Sequence, residues 1–446
     1  MNMTRGSIIK TLILFALPLL LSSVIQQMYN TVDLLFVGNI LGKEAAAAVG
    51  ASSMIITCII GFFSGISVGT NVILAKIFGS KNKNEFKSAT CTAISIALIA
   101  GSILTLIGIA GSKVLLSLIN TPNAIIEPAI QYIRIYFLSI TSMLVYNMGS
   151  GIIRASGNSH IPMIVQFIGG LINIASNTVF IVILGLGIKG AAWATFFSQT
   201  TAAILVVLYI IKDKKNYNVK LKELKIDKNI LFQISIIGIP AGIQTLVISL
   251  SNIVAQSYIN SLDVDSIAAF TAYFKIELLL YYPILAVGQA IMTFTGQNIG
   301  AGKVARVIKG TNICIVFGIV LTMVNSKMLL LSGDIWFRLF NSDTIVITRG
   351  IEIISITFPF YFMYVILEVL SAVIRGSGKS IGPMIIIIFN ICLLRVALLY
   401  IIVPLMENVK GVAITYPITW LSTAMCMVVL YVYQIRNIRK SDLDRK

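Results

Sequence analysis

Two stretches of this chain read alike: "GIIRASGNSHIPM", Gly151 to Met163, and "AVIRGSGKSIGPM", Ala372 to Met384. Arg154 matches Arg375, Gly157 matches Gly378, Ser159 matches Ser380 and Pro162 matches Pro383, all at a spacing of 221 residues. Outward from this pair, "ALPLLLSSVIQQMYN" aligns with "GIPAGIQTLVISLSN", which sets Pro18 against Pro240 and Asn30 against Asn252 at a spacing of 222. "AKIFGSKNK" and "GQNIGAGKV" set Gly79 against Gly300. Three blocks in one register mark the chain as two copies of one unit. The glycines beside the repeat arginines, Gly157 and Gly378, predict sharp turns.

The copies are membrane-embedded. The 446 residues are 57% hydrophobic and 11% charged, with a mean hydropathy of +0.93. Soluble domains carry about a quarter charged residues. Apolar runs of about 20 residues, each long enough to cross a bilayer as a helix, recur from end to end. About twelve spans are expected, near residues 10–38, 45–78, 88–116, 128–152, 162–186, 189–211, 230–260, 266–298, 306–332, 346–374, 382–405 and 411–435. The N-terminal run is too long for a signal-peptide core and is read as the first, uncleaved span. The fold class is therefore an all-α membrane protein of twelve transmembrane helices in two six-helix repeats. The first lobe covers residues 1–211, a basic linker 212–229 and the second lobe 230–446.

The net charge of +17 does not point to nucleic acid. The bases sit in short clusters between apolar runs, as the positive-inside rule arranges them. Most fall on one side when both termini are placed in the cytoplasm of a cell with this protein in its inner (plasma) membrane. The linker "KDKKNYNVKLKELKIDKN", Lys212 to Asn229, belongs to that side and reads as a solvated segment beside an anionic leaflet. An even number of spans per copy makes the repeats parallel. Folds of this kind place substrate between the halves and work by rocking.

Function classes narrow quickly. A membrane zinc protease needs HExxH, and His160 is the sole histidine. Cys58, Cys91, Cys314, Cys392 and Cys426 lie in apolar segments with no CxxC spacing, which fits small core or lipid-facing residues. No enzyme and no resident cofactor are expected, and a monomer is.

Asp33 is the only formally charged residue between Lys10 and Lys43. A carboxylate near a span centre costs about 2.5–3.5 kcal/mol on insertion scales, so it should face protein or water, not lipid. In the fifth span Asn173 and Asn177 are four apart and share a helix face. Thr195 follows in the sixth. One carboxylate, two amide oxygens and a hydroxyl suit a proton or a hard cation. The same amides and hydroxyl also suit hydrogen bonding between helices. In the second half, Glu277 and Arg395 both fall near mid-membrane, and are expected to pair, either as a structural ion pair or with a role in substrate or coupling. Gln26, Tyr29, Tyr146, Phe274, Tyr281 and Tyr282 are candidate linings for a cation-binding cavity.

"MYNTVDLLFVG", "INIASNTVFIVILGLGIKGAAWATFFSQ" and "PILAVGQAIMTFTGQNIGAGK" resemble the multidrug and toxic compound extrusion (MATE) family, nearest its DinF-like and related bacterial multidrug branches. The resemblance covers nearly the whole chain. It implies export of small organic cations and drugs by proton or sodium antiport with alternating access. It also implies a first-lobe cation site of an Asp on the first helix, an Asn and an Asp on the fifth and a Thr on the sixth. Asp33, Asn173, Asn177 and Thr195 fall there, and would hold Na⁺ if sodium is the coupling ion. Asn177 departs from the pattern, which expects Asp, and puts paired-carboxylate schemes in doubt. The alternative within the same superfamily is a lipid-linked oligosaccharide precursor flippase. That reading calls for several bases in the cavity, and the spans hold only Arg134, Lys275 and Arg395.

Overall fold

The computed structural model describes residues 1–213, 217, 219–406 and 408–443. Lys214 and Lys215 of the expected linker lie outside the described residues. The spans are α1 (Ile8–Leu41), α2 (Lys43–Ser80), α3 (Lys83–Leu118), the pair α4 (Asn123–Leu138) and α5 (Ile140–Ala155), α6 (His160–Ile183), α7 (Ile188–Lys212), α8 (Lys228–Asn260), α9 (Val264–Gly300), α10 (Val304–Leu331), α11 (Thr344–Gly376), α12 (Ile381–Met406) and α13 (Val409–Asn437). Eleven of these helices are long and apolar enough to cross a membrane, and the α4–α5 pair supplies the twelfth span with a bend of 43°.

Polar side chains outside the apolar runs cap the starts of α3, α9 and α11. The Asn82 side chain accepts from the Glu85 N–H while its amide donates to the Glu85 carboxylate, closing the first turn of α3. Asp263 caps α9 and Asp343 caps α11 in the same manner. The repeat motif is a stop signal. Gly157 N–H bonds Arg154 C=O while Asn158 N–H reaches Ile153 C=O, and Gly378 and Lys379 do the same with Arg375 and Ile374. Both glycines sit at positive φ, +86° and +97°. This is the Schellman arrangement, built twice from one sequence pattern.

The bend between α4 and α5 falls at Ser139, whose hydroxyl donates to Tyr136 C=O at 2.6 Å. The matching place in the second copy, Phe358–Phe360 within α11, is a 3₁₀ turn carrying Pro359. Among the described residues, three π-helical stretches also interrupt the spans: Val37–Leu41, Thr178–Ile183 and Ile388–Leu394.

The chain forms two compact units. The first contains residues 1–2 and 17–242, the second residues 3–16 and 243–446. In the first, α5 packs against α2, α3 and α7, around Ile133, Phe137, Leu144 and Met148. In the second, the latter half of α11 packs against α9, α10 and α13, with Phe270, Tyr273, Phe294 and Tyr361 fully buried. Apolar side chains such as Leu106, Val320 and Leu331 point outward, as a lipid-facing surface requires.

Candidate functional site

In the first unit α1 brings Asp33 against α6. The Asn177 amide donates to Asp33 Oδ1 and, at 3.2 Å, to Asn173 Oδ1. The i, i+4 spacing of the two asparagines lets one amide serve both acceptors. Asn173 and Asn177 are fully buried and Asp33 is half-buried, so the carboxylate does not face lipid alone. The Asn177 Oδ1 is buried and has no hydrogen-bond partner. Thr195, on α7, is buried and its hydroxyl donates to Ala191 C=O at 3.2 Å. No hydrogen bond ties it to the other three residues among the described residues. Asn177 stands immediately before the π-helical stretch of α6, and Asp33 lies one turn before that of α1. π-bulges are frequent at functional sites.

Tyr29 is buried next to this set and its hydroxyl accepts from Gln166 Nε2 at 3.2 Å. Tyr132 and Tyr136 are buried in the same unit, their ring centroids 6.0 Å apart. Gln166, Tyr132 and Tyr136 are additions to the expected residues. A glutamine four residues from Gly170 in the helix that carries Asn173 was the available signal.

In the second unit a cavity of about 440 Å³ is lined by Asn252, Glu277, Tyr281, Arg395, Tyr416 and Trp420, among others. Glu277 and Arg395 do share this cavity, but they do not form the expected ion pair. Glu277 Oε1 accepts from Tyr361 Oη at 2.9 Å. Arg395 is buried with its Cζ 4.6 Å from the centre of the Tyr416 ring. No contact within 4 Å joins the two charges, and an aromatic partner stands beside each. Arg395 directly follows the π-helical stretch of α12.

The expected aromatic lining divides. Phe274 and Tyr281 line the second unit's cavity, and Tyr282 does not. Tyr146 belongs to the first unit, half-buried, with its hydroxyl 3.4 Å from Pro162 C=O, and Gln26 is exposed. Tyr361, Tyr364, Tyr416 and Trp420 escaped sequence reading. Their i, i+3 and i, i+4 spacings on α11 and α13 are the signal that they share a face.

The MatE family profile matches residues 18–179 and again residues 240–401. The chain belongs to the MatE family. Its two matches restate the internal repeat. Among similar proteins, the probable multidrug resistance protein YoeA of Bacillus subtilis (strain 168) is 27% identical over 450 residues, 99% of this chain and 96% of the relative. The probable multidrug resistance protein NorM of Thermotoga maritima is 23% identical over 400 residues, covering 88% and 85%. Among solved structures, a MATE protein in its bent conformation superposes with a TM-score of 0.92 at 24% identity over 99% and 98% of the chains. An outward-facing multidrug resistance MATE family transporter of the MOP superfamily does so at 0.92 and 23% identity over 98% of each. This MatE protein is a multi-pass membrane transporter and not an enzyme.

Proposed function

We propose that this MatE protein is a secondary active exporter of small organic cations and drugs, and that entry of a proton or Na⁺ at Asp33 drives it. The observation that carries the reading is the Asp33–Asn177–Asn173 hydrogen-bonded set, with its single carboxylate. The names of its relatives supply the drug-export half of the reading. The unpartnered Asn177 Oδ1 supports the coupling half. Half a turn of that amide points an oxygen at Asp33 in place of the N–H. A cation would then meet oxygens from Asp33, Asn173 and Asn177, while a proton on Asp33 would serve the same end with no metal. Both are transported substrates of the cycle.

Coupling follows if ion and drug prefer different conformations, since a ligand with equal affinity for two states shifts neither. An ion loaded at Asp33 favours one arrangement of the π-interrupted helices, and the drug favours the other. The basic clusters support a plasma-membrane protein with both ends in the cytoplasm.

The test is dye efflux from proteoliposomes with sodium and pH gradients imposed separately, for the wild type and for Asp33→Asn. One gradient should drive concentrative efflux in the wild type, and neither should in the variant. Concentrative efflux retained by Asp33→Asn overturns the reading.

A further inference from the structure

The cavity of the second unit takes no part in the cycle proposed above. Its volume of about 440 Å³ is in the range of roughly 300–1,000 Å³ that holds a drug-sized ligand. Its walls carry one charge of each sign, held apart. Arg395 is 4% exposed, and makes no hydrogen bond or ion pair among the described residues, its Nε being buried and unpartnered. A guanidinium cannot shed its proton in a protein. Its donors are arranged as a planar fork that fits a carboxylate. The Tyr416 ring covers one face of that fork and leaves the in-plane donors to be met by something else. Glu277 accepts from the Tyr361 hydroxyl at one of its oxygens and forms no ion pair among the described residues. The rings of Phe274, Tyr281 and Trp420 line the same cavity, surfaces that favour aromatic groups and cations.

We propose that this cavity binds aromatic zwitterions, the acidic group held by Arg395 and the ammonium group by Glu277. The choice over a singly charged ligand rests on desolvation. A bound cation would meet Glu277 but strip water from Arg395 and leave it unpaired, and a bound anion would do the reverse to Glu277. An unpaired buried charge costs more than a single new contact returns. A ligand carrying both signs pairs both walls at once. This binding is separate from the ion site in the first unit and does not rest on the export reading.

The probe is the dipeptide Phe-Phe, compared with its methyl ester, which keeps only the positive charge, and its N-acetyl form, which keeps only the negative one. Binding to the purified full-length protein in nanodiscs is measured by calorimetry. Trp420 fluorescence reports it locally once the other two tryptophans, Trp193 and Trp336, are replaced by Phe. The wild type should bind Phe-Phe at least tenfold more tightly than either analogue, with a change in Trp420 emission. Arg395→Gln should erase the preference over the ester, and Glu277→Gln the preference over the N-acetyl form. Equal affinity of the wild type for all three probes overturns the proposal, and this comparison needs no variant to fold. Phe-Phe binding that leaves Trp420 emission unchanged, or that survives both substitutions with its preferences intact, overturns it too. Equilibrium binding needs no ion gradient and is read equally in Asp33→Asn protein, so a failure here is distinct from a failure of the export reading.

Discussion

Replacing Gly65 by alanine should unfold the first unit more readily than any exposed helical glycine substitution. Gly65 and Gly69 of α2 face Gly238 and Gly242 of α8, two G-x-x-x-G pairs in contact. A Cβ on Gly65 would lie 2.1 Å from the Gly242 nitrogen and 2.3 Å from its Cα. Ordinary contact begins near 3.4 Å, so the helices must part by the difference, about 1.3 Å. A gap of about 0.5–1 Å already forfeits roughly a quarter to a half of each atom pair's attraction. Overpacking costs about 1–3 kcal/mol where side chains can yield. Here the obstacle is backbone, so a loss of about 3 kcal/mol or more is expected. Gly111, in α3, is the control, since a Cβ there meets nothing within 4 Å. Gly111→Ala should instead add about 0.5–1 kcal/mol through helix propensity. Thermal unfolding in detergent, followed by dye labelling of the buried thiols Cys91, Cys314 and Cys392, measures both. Equal unfolding temperatures for Gly65→Ala and Gly111→Ala would refute the close-crossing argument.

Tyr361→Phe deletes the hydroxyl that serves Glu277 while leaving its ring edge-on to Trp420, 4.7 Å between centroids. The unpaired carboxylate oxygen should cost about 1–3 kcal/mol, seen as a lower unfolding temperature in the same labelling assay. An unchanged transition would mean that Tyr361 does not support Glu277. A pH effect is expected outside the membrane, where Lys87 Nζ lies 2.6 Å from Glu223 Oε2. The hydrogen bond from Lys87 holds the Glu223 carboxyl below its ordinary value of 4.5. Because the folded value is depressed, the tie is fully present above about pH 4.5 and is lost as pH falls through the folded value. Hydrogen exchange corrected for intrinsic rates should show residues 220–223 losing protection on acidification, and Lys87→Met should abolish that dependence. Protection that ignores pH in the wild type would count against the tie.

The spans were legible because bilayer thickness sets one length scale, and the repeat motif was legible because Gly157 and Gly378 mark a positive-φ stop that few residues other than glycine can make. The Asn177–Asn173 contact was legible for a similar reason, being fixed by one helical turn. The bend at Ser139 was not. It carries neither Pro nor Gly, and the Ser139 N–H and hydroxyl both donate to the Tyr136 carbonyl. Only its counterpart, with Pro359, announces itself. The Glu277–Arg395 pairing failed because opposite charges at similar depth say nothing of which rings stand beside each one. Tyr361 and Tyr416 come from helices far along the chain, and hydropathy does not specify their facing.

Which bundle a half-helix joins is equally invisible to hydropathy, yet the structure gives it a local cause. Residues 3–16 belong to the second unit and residues 228–242 to the first. Pro18 and Pro240, matched by the repeat, stand beside both division points. The segment 228–242 is held by small residues, since Gly238 and Gly242 admit the backbone of α2 at Ile66 and Phe62. The N-terminal segment is held by polar clasps instead: Met3 N–H donates to Gln297 Oε1 at 2.9 Å, and Arg306 donates to the carbonyls of Met3, Arg5 and Gly6. The two exchanged segments are thus equivalent in the repeat but differ in what is added to apolar burial, a close glycine crossing in one and charge-assisted hydrogen bonds in the other. Steric fit is indifferent to salt, whereas a half-buried guanidinium clasp retains some sensitivity to ionic strength. The asymmetry is therefore a property of this sequence, laid on a fold whose two halves otherwise follow one plan.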